Sequence, residues 1–125
     1  MTRGAAEDST PEEVFRGSPL GLELLHEVEH MLAAYPPSTM KATKSQVAFR
    51  GRRGFAYMWW PARYISSDVP AVLSIALPRQ INSGRFKEVV SPAPGVWMHH
   101  LELRSTADLD DEVAGWLGEA RREAD

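Results

Sequence analysis

The chain of 125 residues contains no cysteine. That absence excludes disulfide bonds, thiolate nucleophiles and cysteine-bound zinc, and it fits a reducing compartment. No apolar run approaches the roughly 20 residues that a membrane-spanning helix needs. The N-terminus, Met1–Thr10, is small and polar and lacks the apolar stretch of a signal peptide. We therefore expect a cytoplasmic protein with no membrane partner.

Familiar catalytic and cofactor motifs are also missing. The chain has neither a P-loop nor a G-x-G-x-x-G after a strand, and its serines lack a G-x-S-x-G context. No pair of carboxylates stands out for acid–base work. His26 and His30 lie one helical turn apart and could share a metal, but no H-E-x-x-H motif accompanies them. The sequence predicts no cofactor and no metal site, and it argues against an enzyme without excluding one.

What is present is the composition of an ordinary globular domain, with 43% hydrophobic and 25% charged residues. A chain of this length fits one domain with one core. Its charge is unevenly distributed. Residues 31–101 hold nine basic and two acidic residues, a net charge of +7, whereas residues 1–30 and 102–125 each carry −5. Either the acidic ends compensate the basic middle, or the middle attracts an anion such as a phosphate, a nucleotide or a nucleic acid.

Apolar periodicity predicts helices at both ends and strands between them. A capping box at Thr10 opens a short helix, Ser18-Pro19 opens a second that Pro36-Pro37 ends, and Asp108 caps a C-terminal helix. Alternating positions predict strands at Ser45–Arg50, Phe55–Trp60, Ala71–Leu77 and Val96–Arg104, with a further one at Arg85–Val90 and a loop at Ser91–Gly95. We expect a flexible tail over residues 1–10. Residues 11–125 then form one two-layer α+β domain, in which the helices flank a mostly antiparallel sheet of four to five strands.

An ordered series of short segments resembles the bacterial domain-of-unknown-function family 5655. The segments are Phe15–Gly17, Lys44–Phe49, Arg53–Ala56, Leu77-Pro78, Ser83–Phe86, Trp97–His99, Leu109–Val113 and Trp116-Leu117. The likeness extends from about Phe15 to Ala120. It implies a compact α+β domain and no established activity.

The last predicted strand contains the most informative polar residue. Because successive side chains of a strand point to opposite faces, Trp97 and His99 face the helices, whereas His100 lies among charged neighbours. A histidine on the core side is either a satisfied structural residue or a polar group at the bottom of a pocket.

Lysine, serine and arginine near strand ends can hold an oxyanion. Together with the family resemblance, this suggests that Lys44, Arg85 and His99 converge on one ligand site, with Ser45 beside Lys44 and Trp97 as a wall.

Aromatic and basic residues also alternate around the first predicted hairpin. They are Arg50, Arg52, Arg53, Trp59 and Trp60. Such a set can stack on single-stranded nucleic acid. Trp59 and Trp60 cannot both face inward on a regular strand, so one of them is expected to cover an edge, a ligand or a partner, including a second copy of the chain.

Three functions follow from these residues. The first is a non-catalytic module that binds a small anionic or nucleotide-like ligand, or a partner protein. The second is a nucleic-acid-associated protein that uses the basic turn and the aromatic residues. The third is a small enzyme with His99 as its acid–base group.

Overall fold

The computed structural model describes residues 9–125. The helices are α1 (Pro11–Val14), α2 (Pro19–Leu32) and α3 (Asp111–Glu123), with short 3₁₀ turns at Pro61–Arg63 and Thr106–Asp108. The strands are β1 (Thr39–Ala42), β2 (Val47–Arg50), β3 (Gly54–Trp59), β4 (Ala71–Leu77), β5 (Glu88–Ala93) and β6 (Val96–Leu103). The predicted tail lies mostly outside the described residues.

The first two helices begin where their capping residues predict. In α1 the Glu13 amide donates to Thr10 Oγ1 (3.2 Å), and the Thr10 amide donates to a Glu13 carboxylate oxygen (3.0 Å). In α2 the Gly21 amide donates to Ser18 Oγ (3.0 Å). Each bond satisfies an amide that has no partner within its helix.

The predicted cap of the third helix was wrong by two residues. Asp110 accepts from the Val113 amide (3.2 Å) and caps α3. Asp108 instead accepts from the backbone amides of Arg104 (2.8 Å) and Ser105 (3.2 Å), which closes the turn after β6. Both aspartates can cap by residue type, so the tight turn after β6 decides which of them does.

The α+β class and the two-layer arrangement are confirmed. The sheet has six strands in the order β1-β2-β3-β4-β6-β5, and every pairing is antiparallel. The additional strand is β1, an edge strand in which Ala42 alone is buried. The predicted loop Ser91–Gly95 was also wrong in part, because β5 continues to Ala93. Pro92 is tolerated there since β5 is the opposite edge of the sheet.

One face of the sheet packs against α2 and α3. Register places Ile75 opposite His99 and Leu73 opposite Leu101, so the side chains of β4 and β6 form the centre of this covered face. The helices contribute Leu24, Leu25, Val28, Val113, Trp116 and Leu117, which join the same buried cluster. The other face of the sheet carries the alternate residues of each strand. We call these two surfaces the covered face and the open face.

The segment after α2 is fastened to α3 by a buried arginine. Arg121 is 6% exposed and donates through Nε to the carbonyl oxygens of Pro36 (3.2 Å) and Pro37 (3.0 Å). The Tyr35 hydroxyl donates to the Ala114 carbonyl (3.0 Å). Its ring occupies the space that a side chain at Gly118 would fill, so glycine permits this close approach. Over the described part of the chain, no helix has the length and apolarity needed to span a membrane.

Candidate functional site

His99 is completely buried on the covered face. Its Nε2 accepts a hydrogen bond from the Ile81 amide (3.0 Å), so Nδ1 carries the proton. That N–H faces the carbonyl oxygens of Trp97 (3.0 Å) and Ile75 (3.2 Å), and the Phe86 ring lies 4.8 Å from the imidazole. Both nitrogens are therefore satisfied by the backbone, as a structural histidine requires.

Arg85 holds the start of α3 against the sheet. Its Nη1 contacts carboxylate oxygens of Asp110 (3.0 Å) and Glu112 (2.9 Å), and its Nη2 donates to the Asp108 carbonyl (2.9 Å). Hydrogen bonding to Arg85 lowers the pKa of the Asp110 carboxyl. The guanidinium also lies 5.8 Å from the centre of the Trp116 ring. The charge of Arg85 is thus compensated by two carboxylates.

The structure does not bring Lys44 together with Arg85 and His99. Lys44 and Ser45 lie in the turn between β1 and β2, at one edge of the sheet, whereas β5 and β6 form the other edge. Two strands, β3 and β4, separate β2 from β6, and adjacent strands lie about 4.8 Å apart. The predicted convergence fails because a single sequence does not specify the order of the strands. Trp97 shares the covered side of β6 with His99 and is paired with Leu77.

Lys44 instead lines a cavity of about 500 Å³ with residues from two other segments. The cavity, which we call the basic cleft, is lined by Ser9, Glu13, Arg16, Gly17, Lys44, Trp60 and Arg63. It lies where the end of α1, the β1–β2 turn and the 3₁₀ turn after β3 meet. Sequence analysis identified Lys44 and Trp60 but assigned them to different functions, and it did not select Arg16 as a site residue.

The cations of the basic cleft are not neutralised within the described chain. Arg63 Nη1 donates to the Glu13 carbonyl oxygen (2.7 Å), a group without formal charge. The Glu13 carboxylate is engaged by the amide and hydroxyl of Thr10. Among residues 9–125, no carboxylate forms an ion pair with Arg16, Lys44 or Arg63. The cleft therefore combines three positive charges with one carboxylate that caps a helix.

Trp60 forms the aromatic wall of the cleft. Its indole packs partly against the hydrophobic core and also lies directly against Gly17. A Cβ at position 17 would overlap the indole ring, so only glycine admits the ring at this position. Gly17 thus helps to position an aromatic surface of the cleft.

A second polar cluster lies on the open face and was not predicted. His100 is paired with Ser74 across β4 and β6, and Ser74 Oγ forms a hydrogen bond with His100 Nδ1. The Trp59 ring meets the imidazole edge to face, with centroids 5.7 Å apart and planes at 75°. Burial lowers the pKa of His100, Glu88 opposes that shift, and His99 adds to it. Strand phase places His100 on this face, but only the strand pairing reveals Ser74 beside it.

The residues predicted to contact nucleic acid are divided among different surfaces. Trp59 lies on the open face, whereas Trp60 lies in the basic cleft. Arg53 Nη2 donates to the Glu123 carbonyl (2.6 Å), and the Arg52 amide donates to the Ala124 carbonyl (2.9 Å). The β2–β3 turn is thereby bound to the end of α3, where a cation complements the helix dipole. Arg50 is exposed at the end of β2.

The two helix histidines each face a carboxylate of their own helix. His26 Nδ1 lies 3.0 Å from Glu29, and His30 Nδ1 lies 3.9 Å from Glu27. Within residues 9–125, no group of three or more histidine, aspartate or glutamate side chains is arranged to hold a metal ion.

Comparison with known proteins identifies the family of the chain. Residues 12–122 match the family described as a domain of unknown function, DUF5655. The chain belongs to this family, as the ordered series of short segments suggested. No curated protein and no solved structure matches the chain.

Proposed function

We propose that this member of the DUF5655 family is a non-catalytic module that binds a small anionic ligand with a flat ring, a nucleotide-like molecule, in the basic cleft. The observation that carries the proposal is the set of three cations, Arg16, Lys44 and Arg63, around one cavity without a carboxylate partner in the described chain. Like charges held close together repel one another, and a bound anion removes that repulsion.

Two cations elsewhere in the basic middle of the chain hold α3 in place. Arg79 contacts Glu119 at 2.8 Å, and Arg85 contacts Asp110 and Glu112. These ion pairs join the basic sheet to the acidic helix α3 and its cap, so carboxylates compensate the charges of these two arginines. The basic cleft differs because its charge faces solvent, which favours it as the place where an anion is attracted.

The shape and chemistry of the cleft also suit such a ligand. Its volume of about 500 Å³ lies within the roughly 300–1,000 Å³ usual for small-molecule sites. Guanidinium groups donate paired hydrogen bonds to phosphate oxygens, and an ammonium group adds a point charge. The Trp60 indole offers a surface on which a base can stack. Glu13, the one carboxylate among the described lining residues, is held by Thr10, so we expect binding rather than acid–base catalysis.

Calorimetric titration with ADP, pyrophosphate and adenosine tests the proposal. We expect ADP to bind, pyrophosphate to bind more weakly because it cannot stack, and adenosine to bind weakly or not at all. Lys44→Ala should weaken ADP binding about tenfold, since one charge-assisted hydrogen bond is worth about 1.5 kcal/mol. Lys41→Ala is the matched control, because Lys41 lies on β1 outside the cleft.

Two results would overturn this assignment. The first is the absence of binding by every probe. The second is an equal loss of affinity in Lys44→Ala and Lys41→Ala, which would place the anion elsewhere. A single-stranded oligonucleotide that binds far more tightly than ADP, with a steep dependence on salt, would replace the small ligand with nucleic acid.

A further inference from the structure

The open face contains a groove that the basic cleft does not explain. Two adjoining cavities, of about 330 Å³ and 270 Å³, share Trp59 and His100 as lining residues. The first cavity is completed by Gln46, Tyr57, Ser74 and Met98. The second is completed by Pro61, Ile65, Ser67, Val72, Lys87, Glu88 and Glu102. We call the two together the open-face groove.

The hydrogen bond between Ser74 and His100 determines where the imidazole proton lies. Ser74 is 2% exposed, and within the described chain its hydroxyl has His100 Nδ1 as its partner. A buried hydroxyl must donate its proton to an acceptor, so Nδ1 is the acceptor and carries no proton. The neutral imidazole therefore carries its proton on Nε2.

His100 Nε2 is free to donate into the groove. It has no hydrogen-bond partner among residues 9–125, whereas no buried side-chain nitrogen or oxygen in that range lacks one. Nε2 must therefore be accessible to solvent. His100 lines both cavities, so its imidazole lies where they adjoin.

The remaining groups in the groove define the ligand further. The first cavity has no charged lining residue, and its walls are mainly the flat or apolar side chains of Tyr57, Trp59 and Met98. The second cavity has both signs of charge, with Lys87 beside Glu88 and Glu102. Such surroundings favour an uncharged molecule. A flat ring can pack against Trp59, and the amide of Gln46 can both donate and accept hydrogen bonds.

We propose that the open-face groove binds an uncharged, flat heterocycle with a ring carbonyl, which accepts a hydrogen bond from His100 Nε2 while the ring packs against Trp59. This site is separate from the basic cleft, since the two share no lining residue.

The test is a ¹H–¹⁵N NMR titration of the full chain with uracil, and with benzene, an uncharged flat six-membered ring that has no hydrogen-bond acceptor atom. Uracil is expected to shift the signals of the Trp59 indole, His100 and Ser74. Benzene is expected to bind about tenfold more weakly, because the loss of one hydrogen bond is worth up to about 1.5 kcal/mol. This comparison uses the wild-type chain, so its result does not depend on whether a variant folds.

Variants identify the residues that recognise the probe. His100→Phe keeps a flat ring but removes the donor, and it should weaken uracil binding about tenfold while leaving benzene binding unchanged. Tyr64→Ala removes an exposed aromatic residue outside both cavities and should leave uracil binding unchanged. Lys44→Ala should also leave it unchanged, which distinguishes failure at this site from failure at the basic cleft.

Equal binding of uracil and benzene would overturn the proposal, as would unchanged uracil binding in His100→Phe. It would also be overturned if uracil produced no shifts up to its solubility limit. Shifts of groove signals that depend on protein concentration alone would assign the groove to a second copy of the chain instead.

Discussion

His99 and His100 are neighbours in β6, yet they lie on opposite faces of the sheet and in different surroundings. On the covered face, both nitrogens of His99 are bonded to backbone groups. On the open face, His100 is bonded through one nitrogen to Ser74 and keeps the other for solvent. The same side chain thus stabilises the fold at one position and retains hydrogen-bonding capacity at the next. The two roles cannot be told apart by residue type. They are distinguished by whether the side chain faces the helices.

The cations of the molecule differ in the same way. Arg79 and Arg85 contact carboxylates of α3 and its cap, whereas Arg16, Lys44 and Arg63 surround the basic cleft without such contacts in residues 9–125. Polar groups that are already satisfied support the structure. Groups that are unsatisfied and share one cavity are the better candidates for binding.

The largest expected effect is a difference in unfolding free energy between variants of His99 and variants of His100. His99→Ala should lower the free energy of unfolding by about 3 kcal/mol, because it leaves buried backbone groups without partners and opens a cavity. His100→Ala should cost about 1 kcal/mol, since water can replace the lost hydrogen bond at the open face. Urea unfolding of both variants measures the difference. Equal losses would contradict the distinction between the faces.

A smaller difference in stability is expected between removing a cation that is paired with carboxylates and removing a cation of the basic cleft. Arg85→Ala should destabilise the fold by about 1 kcal/mol, because the ion pairs that hold α3 are partly exposed and screened by solvent. Lys44→Ala should leave stability unchanged or raise it slightly at low salt, because it relieves repulsion in the cleft. Thermal unfolding at low and high salt compares the two. A larger loss in Lys44→Ala than in Arg85→Ala would show that Lys44 is structural.

The smallest effect concerns pH. Burial lowers the pKa of His100 below its ordinary value of 6.5, against the opposing charge of Glu88 and with a smaller contribution from His99. Lys87 and Glu102 line the same groove. The unfolded chain therefore binds the proton more readily than the folded chain does. The stability that neutral His100 contributes is fully present above pH 6.5 and is lost as the pH falls towards its pKa in the fold.

Melting temperatures measured between pH 7.5 and pH 5.5 test this dependence. The wild type should lose more stability over that interval than His100→Gln. His26→Gln serves as the control, because His26 is exposed on α2, and it should follow the wild type. Identical pH profiles for the wild type and His100→Gln would refute the role assigned to His100.

Local signals explain which parts of the fold could be predicted. Thr10 and Ser18 cap their helices by short-range hydrogen bonds, and the strand Ala71–Leu77 was predicted with its exact bounds because its apolar run ends at Pro78. The edge strand β1 alternates polar and apolar residues over only four positions, of which one is buried, so its pattern is too short to predict a strand. It forms because β2 offers it a partner across a short turn.

The candidate sites depend on contacts that no single segment of sequence contains. Strand phase correctly placed His99 towards the helices. Nothing local, however, shows that the backbone amide of Ile81 satisfies it. The basic cleft joins Arg16, Lys44 and Arg63 from three segments, and Gly17 admits the Trp60 ring between them. Sequence analysis could identify the types of residue that bind an anion, but the order of the strands decides which of them meet.

The most direct test of this distinction is a ¹H–¹⁵N NMR titration of the wild-type chain with ADP, because it reports every face at once. The account predicts shifts concentrated at Arg16, Gly17, Lys44, Trp60 and Arg63, with the signals of Arg85 and His99 unchanged. Shifts centred on Arg85 and His99, with the basic cleft unaffected, would contradict it and return the anion site to the covered side of the sheet.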